Sequence, residues 1–166
     1  MSGTSLDGID AALVDINPEG KLQLLGSHYS PYSSDLQKTL FDLSQADEVQ
    51  LEQLIQLDQL LGKLYAETCL TLLNKYQHSA SDIRAIGCHG QTLRHKPRPN
   101  AFSMQIGDAN IIAELSGITT VADFRRRDIA AGGEGAPLVP AFHQDVFVDF
   151  HNPRQVLNLG GIANIT

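Results

Sequence analysis

MSGTSLDGIDAALVDI, residues 1–16, sets a Gly/Ser/Thr turn directly before an apolar run rich in branched side chains. Gly3 and Gly8 let the backbone approach a ligand closely, and Thr4 and Ser5 offer the hydroxyl and amide donors that phosphate oxygens seek. IDAALVDI (Ile9 to Ile16) reads as a strand, NPEG (Asn17 to Gly20) as a turn and KLQLLGSHY as the returning strand of a β-hairpin. A Walker-type phosphate loop carries GK[ST] and runs into a helix, and neither feature is here. Any phosphate grip at this turn therefore works between strands. Asp7 and Asp10 would repel a bare anion, so a Mg2+ nucleotide suits the turn better than phosphate alone. The same residues also fit a purely structural loop in which Asp7 makes a local turn bond. Met1 sits directly against the turn, so a preceding strand is expected upstream.

A second glycine turn, NLGGIAN at 158–164, lies between Gln155 to Leu159 and Ile162 to Thr166, both of which read as strands. Two strand-turn-strand loops, one at each end of the chain, would clamp opposite sides of a polyphosphate across a cleft. Between them, Ser34 to Leu43 predicts a short helix. Ser44 to Asp47 resembles a capping box for a longer helix over Val49 to Tyr76, where leucines recur at helical spacing. Ile83 to Gly87 and Phe102 to Ile106 read as strands, Asp108 to Ser116 as a helix stopped by Gly117, Ile118 to Ala122 as a strand, and Pro137 to Val148 as a helix. The alternation implies an α/β domain around a mixed sheet, with a hairpin-built edge and parallel strands joined by helices. Sheet edges left open ahead of Met1 and at Ile162 predict a poorly soluble or oligomeric piece.

Composition narrows the class. A chain of 166 residues with 42% hydrophobic content can bury the core of one compact domain, or of one domain and the start of another. A net charge of -7 disfavours a nucleic-acid or anionic-membrane partner. Apolar stretches fall short of the ~20 residues of a membrane span, and no signal-peptide pattern opens the chain, so a cytoplasmic location is expected. Cys69 and Cys88 lack metal-type spacing and read as reduced, partly buried thiols.

Two further segments can carry chemistry. CHGQT, Cys88 to Thr92, follows a strand and so belongs at a strand's C-terminal end, where ligands of α/β sheets gather. His89, Gln91 and Thr92 supply mixed donors and acceptors suited to a polyhydroxylated ligand. His89 reads either as a general base or as a histidine bonded to backbone. Cys88 has nothing nearby in sequence to activate it as a nucleophile. In DFRRRD, Asp123 to Asp128, at most one or two of the arginines can face one ligand, leaving the others for Asp123, Asp128 or solvent. The glycine segment AAGGEGAP that follows suits a mobile lid, with Glu134 a solvated loop acid.

MSGTSLDGID, AIGCHGQT, QIGDANIIAELSGI, VADFRRRDIAAGGEGAPLVPAFH and VLNLGGIAN together resemble the bacterial anhydro-N-acetylmuramic acid kinase family, in order and along essentially the whole chain. The resemblance implies an actin-like ATPase fold of the sugar-kinase type, with two lobes around a nucleotide cleft. Residues 1–154 would form the N-terminal lobe and 155–166 the start of the second. It implies ATP and Mg2+ as cofactors and a small amino sugar as substrate. The family reaction opens the 1,6-anhydro ring with water and transfers the γ-phosphate to O6, giving N-acetylmuramate 6-phosphate in peptidoglycan recycling. Gly3, Thr4, Ser5, Leu6, Asp7, Gly8, Ile9 and Asp10, with Gly160 and Gly161, would hold ATP. His89, Gly90, Gln91, Thr92 and Arg127 would face the sugar, with Arg127 on its lactyl carboxylate. The family's catalytic aspartate belongs to an FDxGPGN-like motif expected beyond Thr166, so no residue here is assigned as the base. A non-catalytic sugar- or nucleotide-binding half-domain, an actin-fold kinase for another amino sugar, and a homodimer all stay open.

Overall fold

The structure is a computed structural model that describes residue 2 and residues 5–149, 151–159 and 164–166. The expected hairpin is present: β1 (Gly8–Ile16) pairs antiparallel with β2 (Leu22–Pro31) from Gly8 opposite Pro31 to Ile16 opposite Leu22, with a register shift between Leu13 and Val14. Asn17 builds the turn, its side-chain oxygen accepting from Lys21 N at 2.7 Å and its carbonyl from Gly20 N at 2.9 Å.

Two helices follow. Helix α1 (Ser34–Gln45) is capped by Ser33, whose hydroxyl accepts from Leu36 N at 3.2 Å, and it buries Leu40 and Leu43. Helix α2 (Leu51–Lys75) buries Leu57, Leu61, Tyr65, Thr68 and Leu72, one stripe at helical spacing. The capping box expected at Ser44 to Asp47 does not form. Helix α1 runs on through Ser44, whose hydroxyl donates back to the Phe41 carbonyl at 2.7 Å, and α2 starts at Leu51 without a side-chain cap. A serine in a last helical turn meets the preceding carbonyls sooner than the amides of a helix that begins seven residues on.

After a short turn at Ala80–Asp82 come β3 (Ile86–Cys88), β4 (Gln91–Lys96) and β5 (Phe102–Ile106), then α3 (Ala109–Ser116) and β6 (Thr120–Ala122). Asp108 caps α3, accepting from Asn110 N at 2.8 Å, and Gly117 ends it at φ 69°. β3 and β6 run parallel with α3 in their crossover, as the alternation predicts. Strand β4 is not foreseen by the pattern. It takes Gln91 and Thr92 out of the turn and pairs them with Ile106 and Gln105 of β5.

Among the described residues the single mixed sheet is replaced by separate two-stranded ladders: β1 with β2, β3 with β6, β4 with β5, and β7 (Leu157–Asn158) with β8 (Asn164–Ile165). Side-chain packing on α2, and not backbone pairing, joins the first three. Leu57, Leu61 and Tyr65 share one core with Leu6, Ile9, Cys88, Leu93, Ile106 and Ile112, while Leu72 and Leu73 share another with Leu13 and Ile118. Helix α4 (Phe124–Ala130) follows β6, and α5 (Val139–Phe147) begins two residues after Pro137, carrying Pro140 in its first turn. Among the described residues no helix is long and apolar enough to cross a membrane.

Candidate functional site

The opening turn is anchored from its apolar residues. Leu6 is buried in the core at φ 56°, a left-handed conformation that a leucine adopts only when its surroundings impose it. Ile9, the second residue of β1, is buried in the same core. Gly8 is required where it stands: a Cβ there would meet the Ser30 carbonyl oxygen at 2.5 Å. The Asp7 carbonyl gathers three donors, Tyr32 N at 3.0 Å, Tyr29 Oη at 2.9 Å and Gln37 Nε2 at 3.3 Å. Ser5 Oγ donates to Asp7 Oδ1 at 2.7 Å, the local turn bond that the structural alternative requires. Ser5, Leu6, Gln37, Lys38 and Phe41 line an open depression beside it. Asp10 is exposed on β1. Gly3, Thr4, Gly160 and Gly161 lie outside the described residues, although β7 and β8 flank the second glycine turn as expected.

The opening segment reaches the CHGQT turn through Ser2. Its hydroxyl is buried, lies 2.5 Å from Tyr65 Oη and donates to the Gly90 carbonyl at 3.3 Å, 88 residues away in sequence. Tyr32 lies in the same polar cluster, its hydroxyl beside those of Ser2 and Tyr65. Burial pushes the Tyr32 and Tyr65 hydroxyls up and keeps both protonated at neutral pH. Burial also raises the thiols of Cys69 and Cys88, both unpaired, so neither is an activated nucleophile. Gly90 sits at φ 75°, where a Cβ would lie 2.8 Å from the Ile106 carbonyl oxygen. Gln91 is fully buried, and Thr92 Oγ1 accepts from Gln105 Nε2 at 3.1 Å.

His89 has both ring nitrogens engaged. Nδ1 lies 2.8 Å from the Gly90 carbonyl, and Nε2 lies 2.7 Å from Arg125 Nε, which can only donate. This fixes the tautomer with the proton on Nδ1. Burial first, and the Arg125 charge with it, hold the imidazole below its ordinary range, opposed by the Gly90 bond. The ring is a neutral brace with no free basic nitrogen, which is the backbone-bonded alternative and not the general-base one.

The arginine run is helical, so its three side chains separate. Arg125 turns inward to His89 and donates from Nη1 to the Gly135 carbonyl at 2.6 Å. Arg126 forks onto Asp123, Nε to Oδ1 and Nη2 to Oδ2 both at 2.6 Å. Arg127 is exposed and lines an open depression with Ala122, Asp123 and Arg126. The glycine segment is tied at several points. Asp128 Oδ2 accepts from Gly135 N at 2.8 Å, and Arg98 donates to the Gly132 carbonyl and pairs with Glu134 at 3.0 Å. Glu134 is thus an ion-pair partner of the β4–β5 loop, not the solvated acid expected. Proximity in sequence carries no hint of a partner 36 residues away. Sequence pattern likewise does not single out Arg125 or Ser2. A helical reading of FRRRDIA would separate Arg125 from its neighbours; nothing in the sequence marks Ser2. Among the described residues there is no group of three or more His, Cys, Asp or Glu side chains able to hold a metal ion.

The family model for anhydro-N-acetylmuramic acid kinase matches residues 1–166. Proteins named anhydro-N-acetylmuramic acid kinase are similar along the entire chain: one from Photobacterium profundum is 50% identical over 167 residues, 44% of its own length. One from Actinobacillus pleuropneumoniae serotype 5b is 52% identical over 169 residues, 45% of its length. A third, from Coxiella burnetii, is 49% identical over 167 residues, 44% of its length. The chain therefore spans under half the length of these relatives. On a match that runs from its first residue to its last, the chain belongs to the anhydro-N-acetylmuramic acid kinase family.

Proposed function

We propose that this chain supplies the N-terminal part of an ATP-dependent kinase that opens 1,6-anhydro-N-acetylmuramic acid with water and phosphorylates its O6. In this reading it forms the first lobe of an actin-like fold, residues 1–154, with 155–166 entering the second, and serves peptidoglycan recycling in the cytoplasm. The observation that carries it is the contact of Ser2 with Gly90, because it sets the opening turn against the CHGQT turn. A phosphoryl donor and its acceptor must be held side by side, since transfer depends on positioning and charge stabilisation.

The depression lined by Ser5, Gln37 and Lys38 has the chemistry to receive a nucleotide's phosphates, the Ser5 hydroxyl turning from Asp7 Oδ1, the Gln37 amide from the Asp7 carbonyl and the Lys38 ammonium from its ion pair with Asp42 to meet them. Gly160 and Gly161 are proposed to take the other side of the polyphosphate. Mg2+ is held in many phosphate sites by one or two carboxylates together with the phosphates, so the lack of a three-acid cluster among the described residues is compatible with Asp7 or Asp10 serving alone. When bound, it would neutralise phosphate charge. On the acceptor side, His89, Gly90, Gln91 and Thr92 with Arg127 are proposed to face the sugar. His89 acts there by bracing the turn, its nitrogens being taken by Gly90 and Arg125. Activating water needs a carboxylate base near the anomeric carbon, which this reading places beyond Thr166.

The test is phosphate transfer by the full-length protein with ATP and Mg2+, offering 1,6-anhydro-N-acetylmuramic acid or N-acetylglucosamine. The expected result is N-acetylmuramate 6-phosphate from the first and little turnover of the second. Preference for N-acetylglucosamine, or no transfer to either, would refute the reading. Arg127→Ala is expected to weaken sugar affinity with ATP affinity unchanged.

A further inference from the structure

Of the three arginines on α4, one makes no ion pair among the described residues. Arg125 is half-buried, and its two hydrogen bonds go to neutral acceptors, the imidazole Nε2 of His89 and the carbonyl of Gly135. Two of the acids nearby are paired with other arginines, Asp123 with Arg126 and Glu134 with Arg98, and the third, Asp128, turns its carboxylate to the Gly135 amide and makes no ion pair with Arg125. Burial alone acts on the Arg125 guanidinium, with no acidic neighbour contributing. A guanidinium drawn from water without a counter-ion is unfavourable, and it gains most from an oxyanion brought by a ligand. The two bonds it does make fix its plane in advance, and among the described residues Nη2 makes no hydrogen bond. Arg126 has its fork filled, and Arg127 is bathed in solvent that already screens its charge.

We infer that Arg125 holds the carboxylate of the sugar acid, with His89 and Gly135 as the two posts that aim its free Nη2 edge. This rests on the substrate reading above and names the residue that would make the enzyme selective for an acid over a neutral anhydro-sugar. A planar, bidentate-capable cation is the group that distinguishes a carboxylate best, and a lysine ammonium does not reproduce its fork.

The experiment compares full-length wild type, Arg125→Lys, Arg125→Gln and Arg127→Ala by calorimetric binding. The ligands are 1,6-anhydro-N-acetylmuramic acid, 1,6-anhydro-N-acetylglucosamine, which lacks the lactyl acid, and Mg-ATP. Loss of a charge-assisted hydrogen bond predicts that Arg125→Lys and Arg125→Gln weaken the acid by about 10- to 100-fold. The neutral analogue and Mg-ATP are expected to stay within about twofold, and Arg127→Ala to have the smaller effect on the acid. Intact Mg-ATP binding also reports that a variant is folded, and Arg125→Gln stands in if Arg125→Lys is not. Equal losses on both sugars, retained preference for the acid, or a loss confined to Mg-ATP would overturn the assignment, the last by showing that the oxyanion is a phosphate. A wild type that prefers the acid while the variants keep that preference refutes Arg125 alone. A wild type indifferent to the acid refutes the substrate reading beneath it.

Discussion

Replacing Gly90 with alanine tests the joint between the two turns most directly. Its φ of 75° costs a residue with a Cβ about 1–2 kcal/mol. The new methyl would also sit 2.8 Å from the Ile106 carbonyl oxygen and 3.2 Å from Gln105 Cβ, a contact with backbone that a rotamer change cannot relieve. Overpacking of this sort adds about 1–3 kcal/mol, for a total of about 2–5 kcal/mol. Gly20 supplies the control. It has a φ of 81° with nothing within 4 Å of a would-be Cβ, so Gly20→Ala is expected to lose only the conformational part, about 1–2 kcal/mol. Urea unfolding of the full-length protein, with m unchanged, reads both. The Gly90 carbonyl also receives Ser2 and lies against His89, so Gly90→Ala is expected to weaken sugar binding while Gly20→Ala leaves it alone. Equal stability losses in the two variants would show that the turn does not pack against β5 as described.

Two further changes probe the same cluster. The folded-state pKa of His89 lies below its value in the unfolded chain, so the stability it contributes is complete above about pH 6.5 and is lost as pH falls through the lower, folded value. His89→Gln should therefore flatten the acid limb of a stability-against-pH curve by up to ~1.4 kcal/mol per pH unit, and parallel curves for variant and wild type would contradict this. Ser2→Ala strands the buried Tyr65 hydroxyl and is expected to cost about 1–3 kcal/mol in denaturant unfolding. Adding Tyr65→Phe should recover part of that loss; a double variant less stable than Ser2→Ala would mean that the hydroxyl had found another partner.

Local chemistry was legible wherever a short segment decides its own conformation. The hairpin followed from IDAALVDI, NPEG and the returning strand, because turn residues and branched side chains act within a few positions. The same holds for α3, bounded by Asp108 and Gly117. Boundaries set by competition were not legible. Ser44 has helix on both sides, and only the continuation of α1 decides which backbone groups its hydroxyl meets. Gln91 and Thr92 have the character of turn residues until β5 offers them a ladder. The order of strands in one sheet was beyond pattern reading for the same reason, since pairing partners are chosen across the chain.

The sequence by itself determined the alternating α/β elements, the positions of the glycine-rich segments between them and the family to which the chain belongs. Those properties rest on residue types and spacings, which the chain carries whatever its shape. Tertiary structure decided what each polar side chain does. The run Arg125, Arg126 and Arg127 is chemically uniform as a sequence, yet the helix sends one to His89, one to Asp123 and one to solvent. His89 could be base or brace until Gly90 and Arg125 took its two nitrogens. Protonation state and charge compensation depend on distance and burial, and these exist only once residues far apart in the chain have been packed together.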